Sequence, residues 1–178
     1  MKKTTINKIT SLLLMVILVF SCNQIKEEKS TVKEKIQNDK LEAVLIVKAA
    51  QQNLNTIALC DAVEKLEENQ QIKNVATSIK QEQQKIFESL QYLASENMIS
   101  VASEPTYQPD VLKYFKEENI VTTDILGNIK DKLETQILVL DTLRKQTDEN
   151  NIEIAAKQYI KTLKENKELT QITLESLK

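Results

Sequence analysis

The chain has 178 residues, with 24 Lys and Arg against 26 Asp and Glu, one glycine, two prolines, two cysteines and no histidine. Without histidine, the Ser-His-Asp and Cys-His arrangements and the commonest general base are excluded, and one glycine cannot build a Gly-rich phosphate loop. The slightly acidic balance gives no electrostatic footprint for nucleic acid, so the expectation is a non-enzyme with no cofactor and no nucleic-acid partner.

Lys2, Lys3 and Lys8 precede an unbroken apolar run from Leu12 to Phe20. That run is too short for a transmembrane helix, which needs roughly 20 apolar residues, and residues 1–21 read as a signal peptide. Val19-Phe20-Ser21-Cys22 resembles a bacterial lipobox, in which a small residue precedes a cysteine that becomes the lipidated first residue of the mature chain. The resemblance implies Cys22 as the lipidation site and the membrane as a partner reached through its lipid. Several acyl chains exceed what stable anchoring requires. The expected localisation is the cell envelope, at the outer membrane, facing the periplasm or the surface; an ordinary secreted protein with a fortuitous cysteine is the alternative. Lys26-Glu27-Glu28 resembles a short surface-export signal of some Bacteroidetes-type lipoproteins, and reads equally as a solvated spacer.

Loss of residues 1–21 removes three lysines and takes the net charge from −2 to −5. With Cys22 lipidated, Cys60 has no disulfide partner and is expected to pack as a small apolar residue, since no histidine is present to activate it. Residues 22–38 are charged and poor in apolar side chains, which predicts a flexible tether. Residues 39–178 then form one domain large enough for a real core.

Scarce glycine and proline, with Leu, Ile, Lys, Glu, Gln and Ala dominant, predict an all-α fold. A first helix starts near Asp39, where Asp39-x-x-Glu42 has capping-box spacing, and carries Val44, Leu45, Val47, Leu54, Ile57, Ala58, Val63 and Leu66. In the second, Ile72, Val75, Ala76, Ile79, Ile86, Leu90 and Leu93 make one apolar stripe, interrupted at its centre by Glu82 and Gln83. The third runs from about Thr122 to Lys145 with Ile125, Leu126, Ile129, Leu133, Ile137, Leu140 and Leu143 inward. The fourth runs from about Asp148 to Leu177 with Ile152, Ala155, Ala156, Tyr159, Ile160, Leu163, Ile172 and Leu177 inward. Asn69, Asn97 and Asn150 stand where left-handed helix ends are needed. Short turns within each helix pair, and a long segment Ser95 to Val121 with both prolines and a short helix at Val111 to Glu117, predict an up-down four-helix bundle whose two hairpins are joined by a crossover.

The order AAQQNLNTIALCDAV, VATSIKQEQQKIFESLQYLASENMI, a proline-containing connector and IKTLKENKEL resembles the ferritin-like family of outer-membrane proteins catalogued as domain of unknown function 4142. The family carries a glutamate on the first helix, an Asp-His pair on the second, and one histidine on each of the third and fourth. By alignment the first glutamate falls on Thr56, the pair on Glu82 and Gln83, the third-helix histidine on Glu134 and the fourth on Asn166. Every histidine is replaced, so no metal site is expected from these degenerate positions. Glu82, Glu134 and Asp61 fall well short of the roughly six oxygens a hard cation takes. Glu82, Gln83 and Asn166 are expected either to face the interior as a hydrogen-bonded plug or to sit at the seam edge as register-setting polar residues.

Three readings of function remain open from the residues. The chain is a lipid-anchored, non-catalytic binding or structural protein; or a degenerate ferritin-like protein of metal or stress handling; or a helical module that meets a protein partner or a second copy through the apolar run Ala43 to Val47.

Overall fold

The computed structural model describes residues 3–67, 69–106 and 122–177, with side chains from residue 33 onward and, in the last stretch, from residue 123. Among them stand four α-helices and no strand: α1 (Lys3–Leu66), α2 (Gln70–Glu96), α3 (Thr122–Gln146) and α4 (Asn150–Ser176). The short helix expected at Val111 to Glu117 lies outside the described residues. The chain divides into two compact units, residues 1–40 and 41–178.

In the first unit the backbone is helical from Lys3 onward, so the stretch 23–38, expected to be a flexible tether, is helix instead. Its composition explains this: too few apolar residues to make a core, but Lys, Glu and Gln with neither Gly nor Pro, all favourable in helices. Asp39 lies inside α1, and no helix begins there. Glu42, the partner expected for its capping box, instead accepts a hydrogen bond from Thr147 Oγ1 at 2.5 Å. Among the described residues no helix is long and apolar enough to cross a membrane.

The second unit is a four-helix bundle, as the sequence predicts. Thr77 and Lys80 on α2 bond Glu64 on α1, which makes α1 and α2 an antiparallel hairpin. Lys130 and Glu134 on α3 meet Gln171 and Lys167 on α4, a second hairpin. Glu42 of α1 meets Thr147 just beyond α3, while Thr56 meets Gln136 further back along α3, so α1 and α3 also run antiparallel. Since α2 opposes α1 as well, α2 and α3 run parallel, and their connection has to return along the length of the bundle. Its described part does so: Gln51 donates to the Glu104 carbonyl and Asn55 accepts from the Thr106 backbone N–H, moving along α1 towards the start of α3.

Asparagine does not take the left-handed conformation at the helix ends. Asn69 is extended and caps α2, accepting from Gln71 N–H at 2.9 Å, and Asn150 opens α4. Asn97 has φ −98°, and Met98, at φ 55°, is the left-handed residue. Met98 N–H bonds the Ser95 carbonyl and Ile99 N–H the Ala94 carbonyl. This is a Schellman closure, in which the left-handed position falls one residue past the cap. Ile99 packs against the core behind it, so its burial fixes the register of the closure and leaves the left-handed position to Met98.

On each of the four helices one line of buried positions advances by steps of three and four that alternate without a break. They are Ile46, Ala49, Asn53, Thr56, Cys60 and Val63 on α1; Ile72, Ala76, Ile79, Gln83, Ile86, Leu90 and Leu93 on α2; Leu126, Ile129, Leu133, Gln136, Leu140 and Leu143 on α3; and Ile152, Ala156, Tyr159, Leu163, Asn166, Thr170 and Thr173 on α4. This is the 3.5-residue repeat of knobs-into-holes packing. The stripe expected on α2 is buried throughout. Four expected core residues elsewhere are not: Val44 is 61 % exposed, Val47 37 %, Ile172 57 % and Leu177 38 %; the first three stand off the alternating line of their helices, and Leu177 lies past the end of α4.

Candidate functional site

Midway along the bundle the line of buried positions turns polar on every helix. Thr56 from α1, Gln83 from α2 and Gln136 from α3 are buried and bonded to one another. Gln83 Nε2 donates to Gln136 Oε1 at 3.0 Å, and Gln136 Nε2 donates back to Gln83 Oε1 at 3.2 Å and to Thr56 Oγ1 at 3.0 Å. Thr56 Oγ1 in turn donates to the Gln52 carbonyl one turn earlier, at 2.9 Å. The ion pair Glu134–Lys167 sets the register of α3 against α4, and in that register Asn166 lies at the height of Gln136. Asn166 is itself buried. Each helix thus gives one neutral hydrogen-bonding side chain to a single layer.

A buried amide pair that satisfies itself in both directions avoids most of the desolvation penalty that a lone buried amide would incur. No group in this layer carries a formal charge. Asn53 on α1 and Thr170 and Thr173 on α4 extend the polar character along the seam. The two threonines bond the carbonyls of Asn166 and Leu169 in their own helix, turning their methyl groups to the core.

Of the five positions carried over from the ferritin-like resemblance, the layer contains three: Thr56, Gln83 and Asn166. The other two lie outside it. Of the two places left open for Glu82, the interior and the seam edge, it takes the second: it is half-buried and ion-paired with Lys85 at 2.7 Å. Gln83 alone continues the alternation from Ile79 to Ile86, and Glu82 is rotated about 100° from it. Glu134 lies on the bundle surface beside Lys167 at 3.6 Å, and the α3 member of the layer is Gln136. That residue was missed, although the step from Leu133 through Gln136 to Leu140 keeps the three-four alternation. Asp61 forms an ion pair with Lys80 at 2.5 Å, and Glu64 shares the same lysine at 2.9 Å. The three carboxylates considered for a cation are therefore apart. Among the described residues no three His, Cys, Asp or Glu side chains converge.

Cys60 is fully buried on α1. Burial, reinforced by the nearby charges of Asp61 and Glu64, pushes its thiol far above the ordinary range, so the reactive thiolate is suppressed. Tyr159 pairs its hydroxyl with Ser89 across α4 and α2; burial raises it, against the opposing effect of that hydrogen bond.

A groove of about 640 Å³ opens between α1 and α3, lined by Val44, Val47, Gln51, Gln52 and Asn55 on one side and by Lys132 on the other. It carries the exposed side of the Ala43 to Val47 run. No family model, curated protein or solved structure matches this chain.

Proposed function

We propose that the protein is a lipid-anchored, non-catalytic component of a bacterial cell envelope, held at the outer membrane through Cys22, with a binding or structural role. The cationic start, the apolar run Leu12 to Phe20 and Ser21-Cys22 at its end support the anchor. The single observation that carries the non-catalytic part is the neutral layer of Thr56, Gln83, Gln136 and Asn166. A di-metal site of the ferritin-like type uses inward carboxylates and Glu-x-x-His pairs from facing helices, and here that depth holds amides and a hydroxyl. Neutral amides and a hydroxyl are weak ligands for a transition metal beside imidazole or carboxylate.

Descent from a ferritin-like ancestor belongs to the same reading. It is supported by three carried-over positions meeting in one layer, each bearing a side chain that hydrogen-bonds without charge. Two measurements test the proposal. Cys22→Ala should leave the membrane fraction or accumulate unprocessed; a variant still acylated and sedimenting with membranes refutes the anchor. Elemental analysis of protein purified without chelator should find no stoichiometric metal. Stoichiometric iron, manganese or zinc would favour the metal-handling reading instead.

A further inference from the structure

We propose that the polar layer holds an internal water molecule seated between Asn166 on α4 and Asn53 on α1. Three buried side-chain atoms have no protein partner: Gln52 Oε1, Asn53 Oδ1 and Asn166 Nδ2. Asn53 is 1 % exposed and Asn166 6 %, so neither is solvated from the surface. Their polarities are complementary. Asn166 Nδ2 can only donate, and the two amide oxygens can only accept.

No direct bond joins them. Asn166 lies level with Gln136 and hence with Thr56, and Asn53 precedes Thr56 by three residues, an offset of roughly 4.5 Å along the helix axis. An N–H···O bond spans roughly 2.7–3.2 Å, and neither atom has a protein partner within that reach. Two such bonds through one water oxygen cover the offset. The water accepts from Asn166 Nδ2 and donates to Asn53 Oδ1. Its second hydrogen goes to Gln83 Oε1, whose remaining lone pair is free after it accepts from Gln136. Three polar partners are the usual complement of a buried water.

The same donor set excludes an ion. A cation here would face the Asn166 N–H groups with no carboxylate to balance it, and an anion would face the lone pairs of Asn53 and Gln83. Water is the small ligand that both donates and accepts without charge.

The test uses isotopically labelled full-length chain and through-space magnetisation transfer from water. The Asn166 side-chain amide protons should show contacts to water of the sign that marks a bound molecule, and Asn166→Leu should lower the count of long-lived internal waters seen by magnetic relaxation dispersion. Asn166 amide protons in contact only with protein groups would overturn the proposal, as would an unchanged water count in the folded variant. If Asn166→Leu does not fold, the contacts in the unsubstituted protein decide alone.

Discussion

α2 and α4 have 27 residues each and both lie on the bundle axis, yet they fill their buried lines differently. On α2 the line is apolar from Ile72 to Leu93 with one exception, Gln83. On α4 it is apolar only as far as Leu163, after which Asn166, Thr170 and Thr173 occupy the seam. At the same end of α4, Ile172 points outward. The contrast teaches that the seam is chosen by geometry before hydropathy. A helix whose first half is locked by Ile152, Ala156, Tyr159 and Leu163 cannot rotate its second half by the roughly 100° per residue needed to bring Ile172 in. Polar residues on the line are then accommodated differently: Thr170 and Thr173 bond their own helix, Gln83 bonds α3 in the central layer, and the Asn166 amide nitrogen has no protein partner.

The comparison breaks most visibly if the two halves of α4 are truncated in turn. Leu163→Ala should destabilise the bundle by about 2–5 kcal/mol, the range for a fully buried aliphatic residue. Thr170→Val, which trades a hydroxyl bonded to its own helix for a methyl, should change stability by no more than about 1.5 kcal/mol in either direction. Urea unfolding of both variants checks this, and equal losses would mean that the two halves do not differ in kind.

The central layer gives the next largest effect. Gln136→Leu leaves Gln83 and Thr56 without their shared partner, and should cost about 1–3 kcal/mol in thermal or urea unfolding. Adding Gln83→Leu removes the stranded amide, and the double variant should recover to near the parent or above it, since replacing both members of a buried pair by apolar groups is nearly neutral or stabilising. A double variant weaker than either single one would show that the layer contributes net stability rather than fixing register.

A smaller effect belongs to the α1–α2 hairpin. Burial tends to raise Glu64, but hydrogen bonds from Lys80 and Thr77 outweigh it and hold the carboxyl below its ordinary value. Lys80 is held above its own by hydrogen bonds to Asp61 and Glu64. A carboxyl with a depressed folded value contributes stability above its unfolded value and loses it as pH falls through the folded one. The hairpin should therefore weaken on the acid side, below the ordinary glutamate range. Lys80→Met should flatten that acid limb, measured as stability against pH, and an unchanged slope would assign the pH dependence elsewhere. Lys80 loses its contribution only as pH rises through its raised value, above the ordinary lysine range.

The smallest effect sharpens the contrast from outside. Ile172→Gln on the exposed face of α4 should shift stability by no more than about 0.5 kcal/mol, as surface changes do. A loss comparable to that of Leu163→Ala would mean that Ile172 is covered in solution.

Composition alone determined the fold class, because a chain with one glycine, two prolines and abundant Leu, Ile, Lys and Glu has no other low-cost backbone. Periodicity determined the face of α2, where nearly every seam residue is apolar and pattern and packing agree. It misled on α4 and on the first turns of the bundle, where Ile172, Val44 and Val47 looked inward by hydropathy while Asn166, Thr170 and Asn53 held the line. The strict three-four alternation in those helices was present in the sequence, but a polar residue on it is indistinguishable from a surface residue until neighbouring helices fix the rotation. For the same reason Glu82 and Gln83 could not be separated, nor Glu134 from Gln136, until α1, α3 and α4 were in place to receive them. What only the tertiary structure decided is that Thr56, Gln83, Gln136 and Asn166 stand at one height. Their separations in sequence carry no information about height, which is set by the turns at Asn69 and Thr147 and by the crossover's return along α1.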